Sequence, residues 1–524
     1  MNRFRTLFPK NLPSVLIPLA VFAASLCYIV SEKLPESDFA ARMFPWLGAA
    51  LGAGVLLAIF LALREKISTE RMALAMLLFF GAIYLFVFPP NAAPDELVHY
   101  SSAYEAADAV MGQKADDPSA IMMRSADTRF YSDYSNFPDM YTYRHFTEEL
   151  AAAPPKGEAA EIVEANRLTG VPYPYILAPQ AAGILLARLL HLNPEWLYLL
   201  GRVFNLLAVA VSVWASVKLT PIGKGVFALV AFFPMALELS ASLSTDAASI
   251  CLGFLAAAQY LRIAYSGEPS KLRDLILFAA TIALLGPPKV VFFPIFMLAF
   301  FLPGKCFATK RLAAVFRVCI ALLFIALLFM TLYSYMHRGE DGAPVISLDG
   351  VVTYSISGLA NDPLHFMRLC KYTIRFFFLF YLLSMAGSDL GWLELSMPGF
   401  AVWIFLALPA IAAFRSKSAG DTHSLRPFDR IQFGLVFFLA ALGTAVVMYV
   451  SWTPEGMQDY ILGIQGRYFL PVIPLLILLA ARWRRPVRPA WLSDKHLLLV
   501  ACMLQPLILM TAFSLIAGRT PEGL

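Results

Sequence analysis

The sequence predicts an all-α polytopic membrane protein: a bundle of about 13 transmembrane helices with one large loop carrying short helices on a single face. Three observations predict it. Hydrophobic residues make up 59% of the 524, charged residues only 15%, and mean hydropathy is +0.67. A globular protein carries roughly 25% charged residues, because charge covers its surface. This chain lacks the polar residues to coat itself in water, so its exterior faces lipid. Second, apolar runs recur at the length of about 20 residues that a membrane crossing needs. Third, basic residues gather in alternate loops. Soluble enzymes and nucleic-acid binders are excluded: 41 Lys and Arg against 36 Asp and Glu leave only +5, too little for a polyanionic partner.

The runs lie near 13–30, 43–63 and 72–88, which fill an N-terminal unit over 1–88. The first lacks a small-residue cleavage site and reads as an uncleaved span. A non-membrane insert follows over 89–171. The transmembrane core over 172–485 holds runs near 200–217, 222–240, 247–265, 272–286, 289–303, 312–334, 397–414, 431–451 and 467–481, with a second external loop at 335–396. The last unit, 486–524, holds the run 497–517. Two further stretches, 174–190 and 372–387, are broken by charge or proline and read as re-entrant or interfacial helices. The six cysteines make no CxxC pair and read as small hydrophobes. No internal repeat is visible, so the inverted-repeat signature of many transporters is missing.

Charge orients the bundle. With Arg3, Arg5 and Lys10 in the cytoplasm, the inside loops and N-terminus hold 23 Lys and Arg against six Asp and Glu. The cluster Arg482, Arg484, Arg485 and Arg488 is the clearest single anchor. The C-terminus then lies outside, and so does the 83-residue insert, with six Lys and Arg, fourteen Asp and Glu, and net −8. A loop of that length is usually functional. Its aromatics (Tyr100, Tyr104, Phe130, Tyr131, Tyr134 among them) predict that it folds onto the membrane domain.

Polar residues beside lipid are costly, so they are functional candidates by default. Four clusters stand out, all on the outer face. In Pro89-Pro90-Asn91-Ala92-Ala93-Pro94-Asp95-Glu96-Leu97-Val98-His99, three prolines stiffen the exit from the third span. Asp95 then either caps a helix or serves as a base or metal ligand, with His99 one turn on. In Ser242-Leu243-Ser244-Thr245-Asp246, Asp246 stands where it either caps the next span or faces the site. Gly286-Pro287-Pro288-Lys289 is a tight hairpin that leaves one ammonium at the surface, a lysine that either snorkels or binds an anion. In Gln465-Gly466-Arg467-Tyr468 the guanidinium either anchors at headgroup level or offers a phosphate its two-pronged fork. Two acids and two cations on one face suit a reaction that takes a proton from an acceptor while a lipid phosphate leaves.

The order PPxxxPDExxH, Pro172-Tyr173-Pro174-Tyr175, Gly201-Arg202, Ser-x-x-x-Asp, Pro-Lys and Gln-Gly-Arg-Tyr-Phe-Leu-Pro resembles the bacterial membrane family called domain of unknown function 2142, over about 72–485. That family is similar to GT-C fold glycosyltransferases. The resemblance implies a GT-C-like bundle in a bacterial inner membrane, with the large loop periplasmic or extracellular. It implies a polyprenyl-phosphate-linked sugar as donor and a glycan, lipid or protein as acceptor, reached among the membrane lipids. Asp95 matches the catalytic carboxylate with Glu96 as neighbour, and Asp246 resembles a second external acid. Two extra spans precede the loop here, where many GT-C proteins have one. On this reading Asp95 is the base, and Lys289 and Arg467, with Gln465 and Tyr468 beside them, hold the departing phosphate. Glu96, His99 and Asp246 orient the acceptor or, with Asp95, hold a divalent cation such as Mg or Mn. A flippase for a lipid-linked saccharide, or a polysaccharide ligase or polymerase, is the alternative.

Overall fold

Most of the long apolar runs become helices, some with a proline inside, such as Pro45 and Pro506. Thr69–Val87 shows how such a helix stops: Pro89 forces the residue before it out of the helical region, and Phe88 is extended at φ −101° and ψ 110°. The computed structural model describes residues 8–32, 38–168, 173–336, 353–414, 425–456, 459–481 and 493–519. Among these, nine helices are long and apolar enough to cross a membrane: Leu12–Ser31, Asp38–Leu63, Thr69–Val87, Pro194–Leu219, Thr245–Tyr265, Lys310–Tyr333, Pro363–Ala386, Pro427–Trp452 and Asp494–Ala517.

Eight of these coincide with expected spans, two further expected spans are helices shorter than 18 residues, and the remaining three are corrected. The run 222–240 breaks before Pro234 into Lys224–Val230 and Pro234–Ser240, seven residues each. The run 289–303 is a 3-10 stretch, Val290–Ile295, and a five-residue helix, Phe296–Phe300. The run 467–481 is a 3-10 turn, Gly466–Phe469, then Ile473–Leu478. In each, proline removes a backbone donor and its ring clashes with the preceding turn. Leu272–Leu285 and Gly399–Phe414 are single helices of 14 and 16 residues.

The expected re-entrant stretch 372–387 is also corrected. It is the second half of a 24-residue helix, Pro363–Ala386, because Asp362 caps the start by accepting from His365 N at 2.9 Å. The stretch 174–190 stays short, a 3-10 turn and the twelve-residue helix Ala178–Leu189. It lies against Pro194–Leu219 at Gly183, where a Cβ would stand 2.3 Å from the Leu200 carbonyl oxygen. The large loop is not purely helical either. Ala120–Arg124 pairs antiparallel with Ile162–Asn166. Part of its acidity is consumed by ion pairs, within the loop in Arg124–Asp127 and Arg129–Glu149 and to the following helix in Arg188–Asp108. As expected, its aromatics dock it: Phe130 packs on Tyr198 with ring centroids 4.5 Å apart.

The bundle has two distinct ends. At one, Lys495 donates to the Arg64 carbonyl at 2.8 Å, and Asp429 accepts from Tyr260 at 2.8 Å. At the other sits the 89–168 segment, with Phe513 against Tyr143 and Arg519 against Glu394. The insert and the start of the last helix therefore lie at opposite ends. Arg3, Arg5, Arg482, Arg484, Arg485 and Arg488 fall outside the described residues. A cysteine engineered at Asp117 is expected to react with a membrane-impermeant maleimide on intact cells, and one at Arg485 to stay protected. The opposite pattern would invert the orientation.

Candidate functional site

The chain leaves Thr69–Val87 through a proline-stiffened loop whose hinge is Asn91, left-handed at φ 66°. Asparagine tolerates that region better than most residues. Its amide donates to the Phe130 and Tyr134 carbonyls at 2.9 and 3.1 Å and accepts from the Tyr198 hydroxyl at 3.0 Å. The loop is thereby held in one course up to Asp95. Asp95 is itself left-handed, at φ 60°, and its side chain makes no capping bond to helix Glu96–Met111. The carboxylate instead accepts from Arg467 Nη2 at 2.8 Å, across 372 positions of sequence.

Glu96, expected beside Asp95 in the reactive group, points the other way. Its oxygens accept from Arg202 Nε and Nη2 at 2.7 and 2.6 Å, from Leu243 N at 2.9 Å and from Ala93 N at 3.3 Å. Both oxygens are spoken for and fully buried, so Glu96 is a fastener and not a reacting or metal-binding group. Arg202 uses its remaining donors on the Phe88 and Pro89 carbonyls at 2.6 and 2.8 Å. This pair rivets the loop exit to the core. Removing one partner of a buried pair strands the other charge, so Arg202→Ala is expected to lose about 3–5 kcal/mol of stability. Thermal unfolding in detergent measures it, and Arg202→Ala with Glu96→Gln should recover part of the loss. A loss within 0.5 kcal/mol, the size typical of surface changes, would mean that the pair holds nothing together.

Asp246 is released in the same way. Helix Thr245–Tyr265 is capped by Ser244, whose hydroxyl accepts from Asp246 N at 3.1 Å, and the Asp246 carboxylate turns into the cluster. There it forms an ion pair with Lys289 Nζ and lies 3.4 Å from Arg467 Nε. Arg467 is delivered by Gly466, at which a Cβ would stand 2.3 Å from the Tyr381 carbonyl oxygen and from Met385 N. Only glycine lets the 3-10 turn seat so closely on helix Pro363–Ala386. The Tyr468 ring lies beneath both cations, 5.5 Å from Lys289 Nζ and 5.4 Å from Arg467 Cζ. His99 Nε2 shares a hydrogen bond of 3.1 Å with the Thr245 hydroxyl. Gln465 begins the 3-10 turn, with its side-chain oxygen buried and unpartnered.

Four sequence clusters, centred on Asp95, Asp246, Lys289 and Arg467, thus meet in one ion-pair network at the loop end. All lie within residues 78–476, which match the family of predicted membrane proteins designated DUF2142. The chain is a DUF2142 protein. No curated protein and no solved structure matches it.

Electrostatics in this DUF2142 protein favour an ionised carboxylate at the mouth of the network. Burial pushes the Asp95 carboxyl upward, but Arg467, His99 and Lys289 together outweigh it and hold it below the usual range. Burial pulls His99 down to about 4, against the attraction of Asp95 and with repulsion from Lys289 and Arg467. Burial, then Arg467, pull Lys289 down to about 7, a pull that a bound anion would reverse. Because folding depresses His99, the unfolded chain binds its proton more readily between about 6.5 and about 4. Stability should therefore fall as pH drops through that window. His99→Gln should flatten the thermal-unfolding profile between pH 7 and 5, and an unchanged slope would remove His99 as its source.

The divalent-cation reading does not fit the arrangement. Among the described residues, no three His, Cys, Asp or Glu side chains gather as a metal would require. Asp95, His99 and Asp246 instead interleave with two cations, and Glu96 is engaged elsewhere. The sequence reading gave no role to Asn91 or Thr245 within their clusters and did not single out Tyr198 or Trp392, whose indole donates to the Asn91 carbonyl at 3.3 Å. An asparagine between prolines was the one available signal for the first of these. An apolar groove of about 550 Å³ lies apart from this chemistry, lined by Phe22, Phe44, Gly48 and Gly52 among others.

Proposed function

We propose that this DUF2142 protein is an inner-membrane glycosyltransferase of GT-C type, moving a sugar from a polyprenyl-phosphate-linked donor to a cell-envelope acceptor on the outer face. One observation carries the reading: a carboxylate whose side chain is 49% exposed is paired with an arginine only 3% exposed. The exposed partner is reachable by an acceptor hydroxyl, and the buried one is held where it can meet a lipid phosphate. The donor phosphate competes with Asp95 for Arg467, and its arrival frees the carboxylate. Asp95 then takes the acceptor's hydroxyl proton as the acceptor oxygen bonds to the sugar's anomeric carbon. The bond from that carbon to the phosphate oxygen breaks, and the electron pair leaves with the carrier phosphate. Lys289 and Arg467 stabilise the charge that develops there, in a pocket whose dipoles are already oriented.

A second reading, a transporter of the same lipid-linked saccharide, is favoured by the discontinuous helices at 224–240, 290–300 and 466–478, a common feature of transporter sites. Lipid analysis of a deletion strain separates the two. Polyprenyl-phosphate sugar accumulating on the outer leaflet supports the transferase, accumulation on the inner leaflet supports the transporter, and no accumulation counts against both.

A further inference from the structure

Beside the ion-pair network, Gln465 Oε1, Arg467 Nη1, Ser384 Oγ and Glu238 Oε2 are buried without a hydrogen-bond partner. A buried polar atom left unpaired costs about 1–3 kcal/mol, and native structures keep few without a reason. These four belong to one neighbourhood. Ser384 Oγ lies 2.6 Å from the position a Cβ would take on Gly466. From Ser384 the chain runs on to Gly391, whose N–H donates to Glu238 Oε1 at 2.7 Å. Glu238 is 2% exposed and lies within electrostatic range of Arg467, Glu96 and Glu394. The next residue, Trp392, is half-buried and tied to Asn91, four positions before Asp95.

We propose that Glu238, Ser384 and Trp392 form a hydroxyl-reading subsite for the sugar ring of the donor, next to the cations that hold its phosphate. The inference rests on the lipid-linked-sugar reading above. Charge decides what each half accepts. Lys289 and Arg467 attract a phosphate, whereas the Glu238 side, buried at 2% exposure, offers hydrogen-bonding oxygens and no cation, so it takes a neutral, hydroxyl-bearing group. The free Glu238 oxygen accepts from a sugar hydroxyl, Ser384 accepts or donates to another, and the Trp392 ring offers an apolar face to ring C–H groups. A site built to hydrogen-bond hydroxyls rejects a ligand lacking them, because its buried groups then stay unpaired.

The test uses the purified full chain in nanodiscs and compares decaprenyl phosphate with decaprenyl-phosphoryl-glucose and decaprenyl-phosphoryl-mannose. At least one hexosyl carrier is expected to bind about tenfold or more tighter than the bare carrier, the gain of roughly one good hydrogen bond. Glu238→Gln should shrink that gain several-fold while affinity for decaprenyl phosphate holds, and Trp392→Leu should shrink it in part. If Glu238→Gln fails to fold, Ser384→Ala takes its place with the same expected loss. An undiminished gain in the folded variants overturns the subsite and leaves the donor reading standing. Equal binding of all three lipids by the native chain does the same. A native chain that binds none of the three overturns the donor reading, and the subsite with it.

Discussion

Asp95→Asn is expected to lower transfer by about 10²–10⁴, the usual contribution of a general base, while the protein stays folded. The backbone supports a clean experiment. Asp95 is left-handed, a region that asparagine also tolerates, and its side chain caps nothing. The substitution therefore keeps shape and conformation and removes only the ability to take a proton and to balance Arg467. Transfer is measured with reconstituted protein and a polyprenyl-phosphate sugar, folding by thermal unfolding. Near-normal product from the variant would leave Asp95 as no more than a partner for Arg467.

Arg467→Ala is expected to lower transfer by about 10²–10³, in line with losing one preorganised donor to a developing anion, and to weaken binding of bare decaprenyl phosphate. Arg467→Lys should fall between this variant and the native chain. It keeps the charge but loses the flat fork that grips two oxygens at once. The side chain is buried and faces two carboxylates, so truncation also strands Asp246 beside Lys289 alone. The lysine variant guards against reading a folding defect as a chemical one. Native-like carrier binding by folded Arg467→Ala would end the phosphate assignment.

Much of this molecule was legible because lipid is an unforgiving solvent. A shortage of charge identified the membrane, and uninterrupted apolar runs located eight helices to within a few residues. The three broken spans share a cause. Run length counts residues but not turns, so Pro234, Pro294 and Pro474 pass as apolar while breaking or ending the helices they touch. Helix Pro363–Ala386 was undercounted for the opposite reason. Arg368, Lys371 and Arg375 interrupt its apolar run, although helical geometry is indifferent to them. The site's charged residues were visible because charge next to lipid is rare. Their division of labour was not. Asp95 and Glu96 are neighbours in sequence, yet one left-handed residue turns them to opposite tasks. Asn91 and Trp392 work through backbone carbonyls and hydroxyls far away in the chain, which no local pattern encodes.

The span between Asp95 and Arg467 also bears on how the protein is made. The chain emerges from its N-terminus, so the two acids of the network, Asp95 and Asp246, are synthesised before the two cations, Lys289 and Arg467. Asp95 is half exposed and can wait in contact with water. Arg467 has no such refuge, since its side chain is only 3% exposed and a buried guanidinium without a partner is strongly disfavoured. Chain order resolves the difficulty, because each cation reaches the membrane after a counter-charge is already standing there. The network is completed only when residue 467 arrives. A ribosome stalled before that point would leave a membrane-inserted intermediate with its acids in place and its anion-binding half missing.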